Sequence, residues 1–298
     1  TSGMAGEKLT EMGDMVEAGA VGFSDDGKPI ITAALMRRAL EYAKMFGKPI
    51  IDHCEDPTLA DGGVMHEGQV STALGMSSIP SIAEEVMVAR DILIAEYTDG
   101  PLHIAHVSTA GSVRLIREAK ARGVKVTAET CPHYLVLTDD AVRSFDTSTK
   151  MNPPLRSKDD QKALIQGLKD GTIDVIATDH APHAIEDKEC EFKVAAFGIV
   201  GLETALGLVW TQLVEKKLIT LEQLIQRMSI APRDILHLPE NKIQKGMLAN
   251  LTLIDPIINW TVDSLKFESK SKNTPFQDWE LKGNAFGVIN QGKVIHSG

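Results

Sequence analysis

Three cysteines in 298 residues, Cys54, Cys131 and Cys190, are too few and too scattered to build a fold on sulfur. Their number is odd and no CxxC spacing occurs, which argues against a disulfide framework and a thiolate zinc site. The expectation is that they are reduced and buried. The chain also lacks any apolar stretch near the ~18 residues that a membrane span needs. Its first residues, Thr1-Ser2-Gly3-Met4-Ala5-Gly6, have no basic-then-apolar signal character. A cytoplasmic location without a membrane partner is therefore expected. Positive charge is short as well: 31 basic against 41 acidic residues leave a net charge of -10, which speaks against nucleic acid or an anionic membrane as partner. An anionic ligand would have to be held by local groups and not by the global field. Internal repeats and low-complexity tracts are absent too, and Ser269-Lys270-Ser271-Lys272 reads as a solvated loop.

What the chain does contain is 43 % hydrophobic and 24 % charged residues, enough for the core of a sizeable enzyme. Four short apolar runs stand out: Ala20-Val21-Gly22-Phe23, Pro49-Ile50-Ile51, Leu102-His103-Ile104-Ala105 and Asp174-Val175-Ile176-Ala177. Each stops within three residues of a side chain able to bind metal, namely Asp26, His53, His106 and Asp179. Runs of this kind read as parallel strands buried on both faces. Polar ligands repeated at the C-terminal ends of such strands are how a (β/α)8 barrel builds an active site. Taken singly, each would be read as a satisfied buried polar group or a helix cap. The shared topological position is what favours a site.

Helical stretches alternate with these strands: Leu9 to Glu17, Ala33 to Phe46, Ile82 to Tyr97 and Ser112 to Arg122, with Val124 to Glu129 as a further strand. Ser157 with Asp160, and Thr220 with Gln223, resemble capping boxes that open two more helices, the last closed before Pro232. Five strand-helix units can be counted where a complete barrel has eight. The expected fold class is therefore α/β, a partial TIM-type barrel with strands four to eight present. Beyond Leu238 the texture changes to short strands, with Asn290-Gln291-Gly292 as a tight hairpin connection. The division expected is a barrel unit over 1–238, incomplete at its N-terminus, and a small β-sandwich portion over 239–298.

Five motifs in order carry a family resemblance: Phe23-Ser24-Asp25-Asp26-Gly27, Asp52-His53-Cys54-Glu55-Asp56, His103-Ile104-Ala105-His106-Val107-Ser108, Met151-Asn152-Pro153-Pro154-Leu155-Arg156 and Thr178-Asp179-His180-Ala181-Pro182-His183. With Phe197 to Thr204 and Ser269 to Phe276 they resemble dihydroorotase of the bacterial type I class, in the amidohydrolase superfamily. The resemblance implies reversible interconversion of dihydroorotate and N-carbamoyl-L-aspartate in pyrimidine biosynthesis. It implies two zinc ions, with His53 and His106 on one, Asp26 bridging, and Asp179 on the other while serving as general base. Imidazole and carboxylate donors suit hydrolytic zinc, which brings the pKa of a bound water to about 7. Asp25 competes with Asp26 for the bridging role, and a plain Asp-Asp-Gly turn is the simpler reading of that motif.

Asn152 and His183 would contact the substrate ring and its carboxylate, although Asn152 also fits a loop-shaping role and His183 that of a partner to a ligand. Arg156 is read as structural, His180 as orienting Asp179, and His103 and His133 as core or supporting residues. Ile185 to Phe192, rich in charge, is either solvated surface or a cover for the site. One departure stands against the match: the family's His-x-His-Leu-Arg strand and a later Asn have no counterpart here. The expectation is accordingly an N-terminally truncated enzyme with doubtful activity alone, whose second metal has lost its His-x-His ligands. Allantoinase or hydantoinase uses the same chemistry, but with a carboxylated Lys where this chain has Asp25-Asp26. A non-catalytic partner of aspartate carbamoyltransferase is the alternative of another class, and homo-oligomerisation the other association expected.

Overall fold

The computed structural model describes residues 1–239 and 242–296. Glu240 and Asn241, beside the expected domain boundary, and Ser297 and Gly298 at the end of the expected β unit, lie outside the described residues.

Strands β1 (Phe23–Ser24), β2 (Ile50–Asp52), β5 (Leu102–Ile104), β6 (Val126–Thr130) and β7 (Val175–Ile176) form a five-stranded sheet in the order β1-β2-β5-β6-β7. All four pairings are parallel, with Phe23 against Ile50, Ile50 against Leu102, Leu102 against Val126 and Glu129 against Val175. The chain is thus an α/β protein with a parallel sheet, as its apolar runs predict. Three strands, β1, β5 and β7, are shorter than their runs. Of Ala20 to Phe23 only Phe23 pairs, and the preceding residues leave a helix through Gly19 at φ 103°.

Helix Ala33–Lys44 shows why these elements form. Thr32 caps it by accepting the Leu35 N–H at 3.2 Å. Met36, Ala39, Leu40 and Ala43 recur three and four residues apart and are buried in the main core with Ile50, Leu102 and Ile104. The helix stops where Gly47 adopts φ 63°. Helix Ala110–Ala121, expected from Ser112, starts two residues earlier because Thr109 caps it, and helix Lys158–Asp170 is capped by the reciprocal Ser157–Asp160 box that the sequence predicts.

Between β2 and helix Ile82–Thr98 lies an excursion that the sequence pattern does not reveal. It holds the two-stranded parallel pair β3 (Met65–His66) and β4 (Ser78–Ile79), with short helices Pro57–Ala60 and Gln69–Leu74. Two-residue strands carry no periodicity to read. A second difference concerns Pro232, which does not close the helix opened by Thr220. A π turn over Gln226–Ile230 precedes it, and the last segment, Ala231–Ile235, carries Pro232 as its second residue, in the first turn where proline is tolerated.

The C-terminal strands β8 (Leu251–Thr261), β9 (Glu280–Asn290) and β10 (Lys293–His296) make one antiparallel sheet, with β9 in the middle. Gln291 and Gly292, both at positive φ, turn β9 into β10. Two glycines let this sheet approach the α/β body. A Cβ on Gly207 would stand 2.7 Å from Trp260 Cζ2, and one on Gly283 2.7 Å from Trp210 Cγ. Val262, Phe276 and Leu281 are buried in the same core as the parallel strands.

Candidate metal centre

Four ligand-type side chains follow the C-terminal ends of parallel strands, the end where open α/β sheets bind ligands. Asp26 stands two residues beyond β1, His53 directly after β2, His106 two beyond β5 and Asp179 three beyond β7. The backbone there is bent with purpose. His106 has φ 32° and Asp179 φ 48°, left-handed conformations that cost a non-glycine residue about 1–3 kcal/mol. Each is held by sheet-type bonds on both sides. Ala105 donates to Asp52 O at 3.1 Å and Val107 to Glu129 O at 2.8 Å; Ala177 donates to Thr130 O at 3.0 Å and Ala181 to Ile199 O at 2.8 Å. The bracketing bonds hold a turn that lifts each side chain out of the strand direction.

The donors converge. His53 Nδ1 and His106 Nε2 lie 2.9 Å apart, and His106 Nε2 is 3.2 Å from Asp26 Oδ1. His53 Nδ1 is 3.7 Å from the same oxygen. A tetrahedral zinc with bonds of 2.0–2.1 Å separates its donors by about 3.3 Å, so this trio fits one ion with small adjustments. The His106 Nδ1 is buried without a partner among the described residues. Asp25, the competitor, is buried and turned away, accepting from the Thr1 amino group at 2.6 Å and from the Thr1 hydroxyl.

Without metal the trio behaves as a proton-sharing cluster. Burial drives the His53 imidazole down to about 3, and its neighbour His106 pushes the same way. Burial also opposes charge on His106, but the Asp26 hydrogen bond and the nearby Asp179 carboxylate outweigh it and raise His106 to about 9. The hydrogen bond from His106 in turn lowers Asp26 to about 2. Burial raises the Asp179 carboxyl above the ordinary carboxylate range.

One cavity of about 310 Å3 is lined by Asp26, His53, His106, Asn152, Asp179 and His183, all the sequence-predicted site residues together. Asn152 Nδ2 is 3.5 Å from His53 Nε2, and the Asn152 Oδ1 is buried without a partner among the described residues. His183 donates Nε2–H to Phe197 O at 2.7 Å. The same cavity is lined by Gly27, Ala181, Phe197 and Gly198, which the sequence reading does not place there. Phe197 and Gly198 belong to a quoted motif, but they carry no titratable group by which to single them out.

The supporting histidines sort differently. His103 bridges Thr127 Oγ1 at 2.8 Å and Glu129 Oε2 at 3.2 Å within the sheet. His180 does not orient Asp179 by any contact found among the described residues; its Nδ1 accepts from the Gly201 N–H at 3.1 Å. Arg156 is structural, spanning Ser108 Oγ, the Ile79 carbonyl and His66 in the buried interior. The segment after β7 is a short helix, Ile185–Lys188, tied down by the buried Lys188, whose Nζ donates to Ala196 O at 2.8 Å and Gly198 O at 3.1 Å.

The Dihydro-orotase-like family profile matches residues 1–112. The chain is 59 % identical over 295 residues to the dihydroorotase of Pelotomaculum thermopropionicum, covering 99 % of this chain and 69 % of that protein. It is 55 % identical to the dihydroorotase of Pelobacter propionicus, with 99 % and 70 % covered. Among solved structures it resembles L-hydantoinase (dihydropyrimidinase) from Arthrobacter aurescens with a TM-score of 0.87 at 28 % identity, over 96 % of this chain and 67 % of that one. Identity of this degree over nearly the whole of the chain shows that it belongs to the dihydroorotase family of cyclic amide hydrolases.

Proposed function

We propose that the cavity at the strand ends is a dihydroorotase active site, interconverting dihydroorotate and N-carbamoyl-L-aspartate. The observation that carries this is the convergence of Asp26, His53, His106, Asn152, Asp179 and His183 on one cavity from separate segments of the chain. In this reading His53 and His106 would hold one zinc ion and Asp179 a second, with Asp26 as the donor that would serve both. Bound zinc supplies an acidic water and polarises the ring amide carbonyl. Asp179 takes the proton from the attacking water and returns it to the ring nitrogen as the C–N bond breaks. Its raised affinity for a proton, caused by burial, suits a group that must both accept and release one. Asn152 and His183 orient the ring and its carboxylate. For cyclisation the same groups act in reverse.

The parallel strands are read as an arc of a (β/α)8 barrel, strands four to eight, with 1–238 as the barrel unit and 239–298 as part of a small β unit. The family's His-x-His pair does not occur in the 298 residues, so within this sequence the second ion has only Asp26 and Asp179. Hydantoin chemistry is the less favoured reading, because the relatives at 55–59 % identity are dihydroorotases, and because a carboxylated Lys would be expected where this chain has Asp25-Asp26. Association with aspartate carbamoyltransferase or with a second copy belongs to this proposal as well.

The test is zinc content by mass spectrometry, with turnover measured on dihydroorotate, hydantoin and allantoin side by side. The expected result is one tightly held zinc, lost in His53→Ala and in His106→Ala. With a His-x-His segment from a relative fused in place, dihydroorotate turnover is expected, and Asp179→Asn removes nearly all of it. Preference for hydantoin or allantoin, or undiminished turnover in Asp179→Asn, overturns the reading.

A further inference from the structure

The segment after β6 brings a second, buried donor set up to Asp179, which itself lines the cavity. Cys131 directly follows β6, His133 lies in the short helix Pro132–Val136, and Asp179 comes from the loop after β7. The Cys131 sulfur, a ring nitrogen of His133 and a carboxylate oxygen of Asp179 all lie within 4.8 Å of one another. Cys131 and His133 are buried, at 0 % and 2 % exposure. The His133 Nε2 has no hydrogen-bond partner among the described residues. The ring is not free to swing out, because it stands edge-on to Tyr134 at a centroid distance of 4.2 Å, and the Tyr134 hydroxyl donates to Pro153 O at 2.6 Å. A buried imidazole nitrogen left without a partner costs about 1–3 kcal/mol, so its retention beside a thiol and a carboxylate calls for a ligand.

We propose that Cys131, His133 and Asp179 form a binding site for one soft divalent cation, sharing no donor with the Asp26–His53–His106 trio. The donor chemistry sets the class of ion. The trio offers nitrogen and oxygen alone, whereas here a sulfur joins them, which selects thiophilic ions such as Cd2+ over hard ones such as Mg2+. On binding, the Cys131 S–H bond breaks, its proton goes to solvent, and the sulfur and imidazole lone pairs fill two coordination positions. Asp179 supplies the third. With one oxygen on the zinc assigned to it above and the other on this cation, the same carboxylate has none left for the proton of the hydrolytic reaction, so occupancy of this site inhibits. That consequence rests on the role of Asp179 proposed above; the binding itself does not.

The experiment is titration of the zinc-loaded chain with Cd2+, followed by the ultraviolet thiolate-to-cadmium absorption. One equivalent is expected to develop the band in the unaltered chain and in Cys54→Ser and Cys190→Ser. The band is expected to vanish in Cys131→Ser and in Cys131→Ala, the second keeping an apolar residue in the core, with folding checked by thermal melting. His133→Ala is expected to weaken Cd2+ binding by about tenfold or more. In Asp26→Asn the band should persist, because the trio is not part of this site. A band that survives loss of Cys131, that follows Cys190 instead, or that never forms overturns the site. Loss of the band in Asp26→Asn overturns its separateness. Where the fused enzyme turns over dihydroorotate, Cd2+ inhibition that is absent although the band forms overturns the inhibitory role while leaving the site intact.

Discussion

At the scale of single residues, the Asp26–His106 pair makes a prediction about protons. Without metal His106 holds its proton to about pH 9, so at pH 7 it is charged. A metal ligand must be neutral imidazole, and binding therefore displaces that proton. Zinc added at pH 7 in weak buffer should release close to one proton through His106, and affinity should climb as pH rises toward 9. An indicator-dye titration that finds no release contradicts this protonation state. The same pair sets a stability window for the metal-free protein. His106 is raised above its ordinary 6.5, so its contribution is complete below that pH and lost as pH climbs through about 9. Asp26 is lowered from 3.8, so its contribution is complete above that pH and lost as pH falls through about 2. Melting temperatures of the metal-free chain should accordingly crest between these limits, and added zinc should extend the plateau upward. For substrate contact, His183→Ala is expected to raise KM and lower kcat in the fused enzyme while zinc content stays unchanged; loss of zinc instead would move His183 into the metal shell. The residues found in the sequence are those whose chemistry is in the side chain. Asp25 competes with the preferred Asp26 in the sequence because adjacent carboxylates share one motif, and the fold shows Asp25 buried against Thr1. Phe197 and Gly198 line the cavity without any ionisable group to betray them.

At the scale of elements, the features legible in sequence are those with local chemistry. The Ser157–Asp160 box closes at 3.2 Å in both backbone contacts, and Ser157→Ala is expected to cost about 1 kcal/mol in denaturant unfolding. The excursion through β3 and β4 was not legible, and its reason is long-range: His66 bonds to Arg156, ninety residues away in sequence, at 3.3 Å. Lys188 is a similar case. In a charged stretch that reads as solvated surface, its ammonium is buried and gives hydrogen bonds to Ala196 O and Gly198 O, fixing the chain on either side of Phe197. Lys188→Met leaves those carbonyls short of a donor, at about 1–3 kcal/mol for a buried group. The expected outcome is faster amide exchange over residues 196–198 and a raised KM in the fused enzyme. Unchanged exchange there would show that the His183 and Asn273 contacts suffice to hold the segment.

At the scale of the whole molecule, the sheet order puts β1 and β7 at the two edges, and among the described residues neither has a second strand partner. Open edges offer unpaired N–H and C=O groups to another chain. Each edge strand is only two residues long, which limits how much ladder it can form, but the sheet behind it is parallel and buried. Opposing association is the net charge of -10. At an ionic strength of 0.01 M the screening length is about 30 Å, and repulsion keeps copies apart; at 0.15 M it falls to about 8 Å, and edge pairing is left unopposed. Sedimentation velocity should therefore show self-association that grows with protein concentration and also with salt over this range. If the association were ionic, added salt would dissolve it. A monodisperse monomer at both salt levels, unfolding in one cooperative step, would mean that the edges are closed within the chain, and would refute the reading of the sheet as an open arc of a barrel.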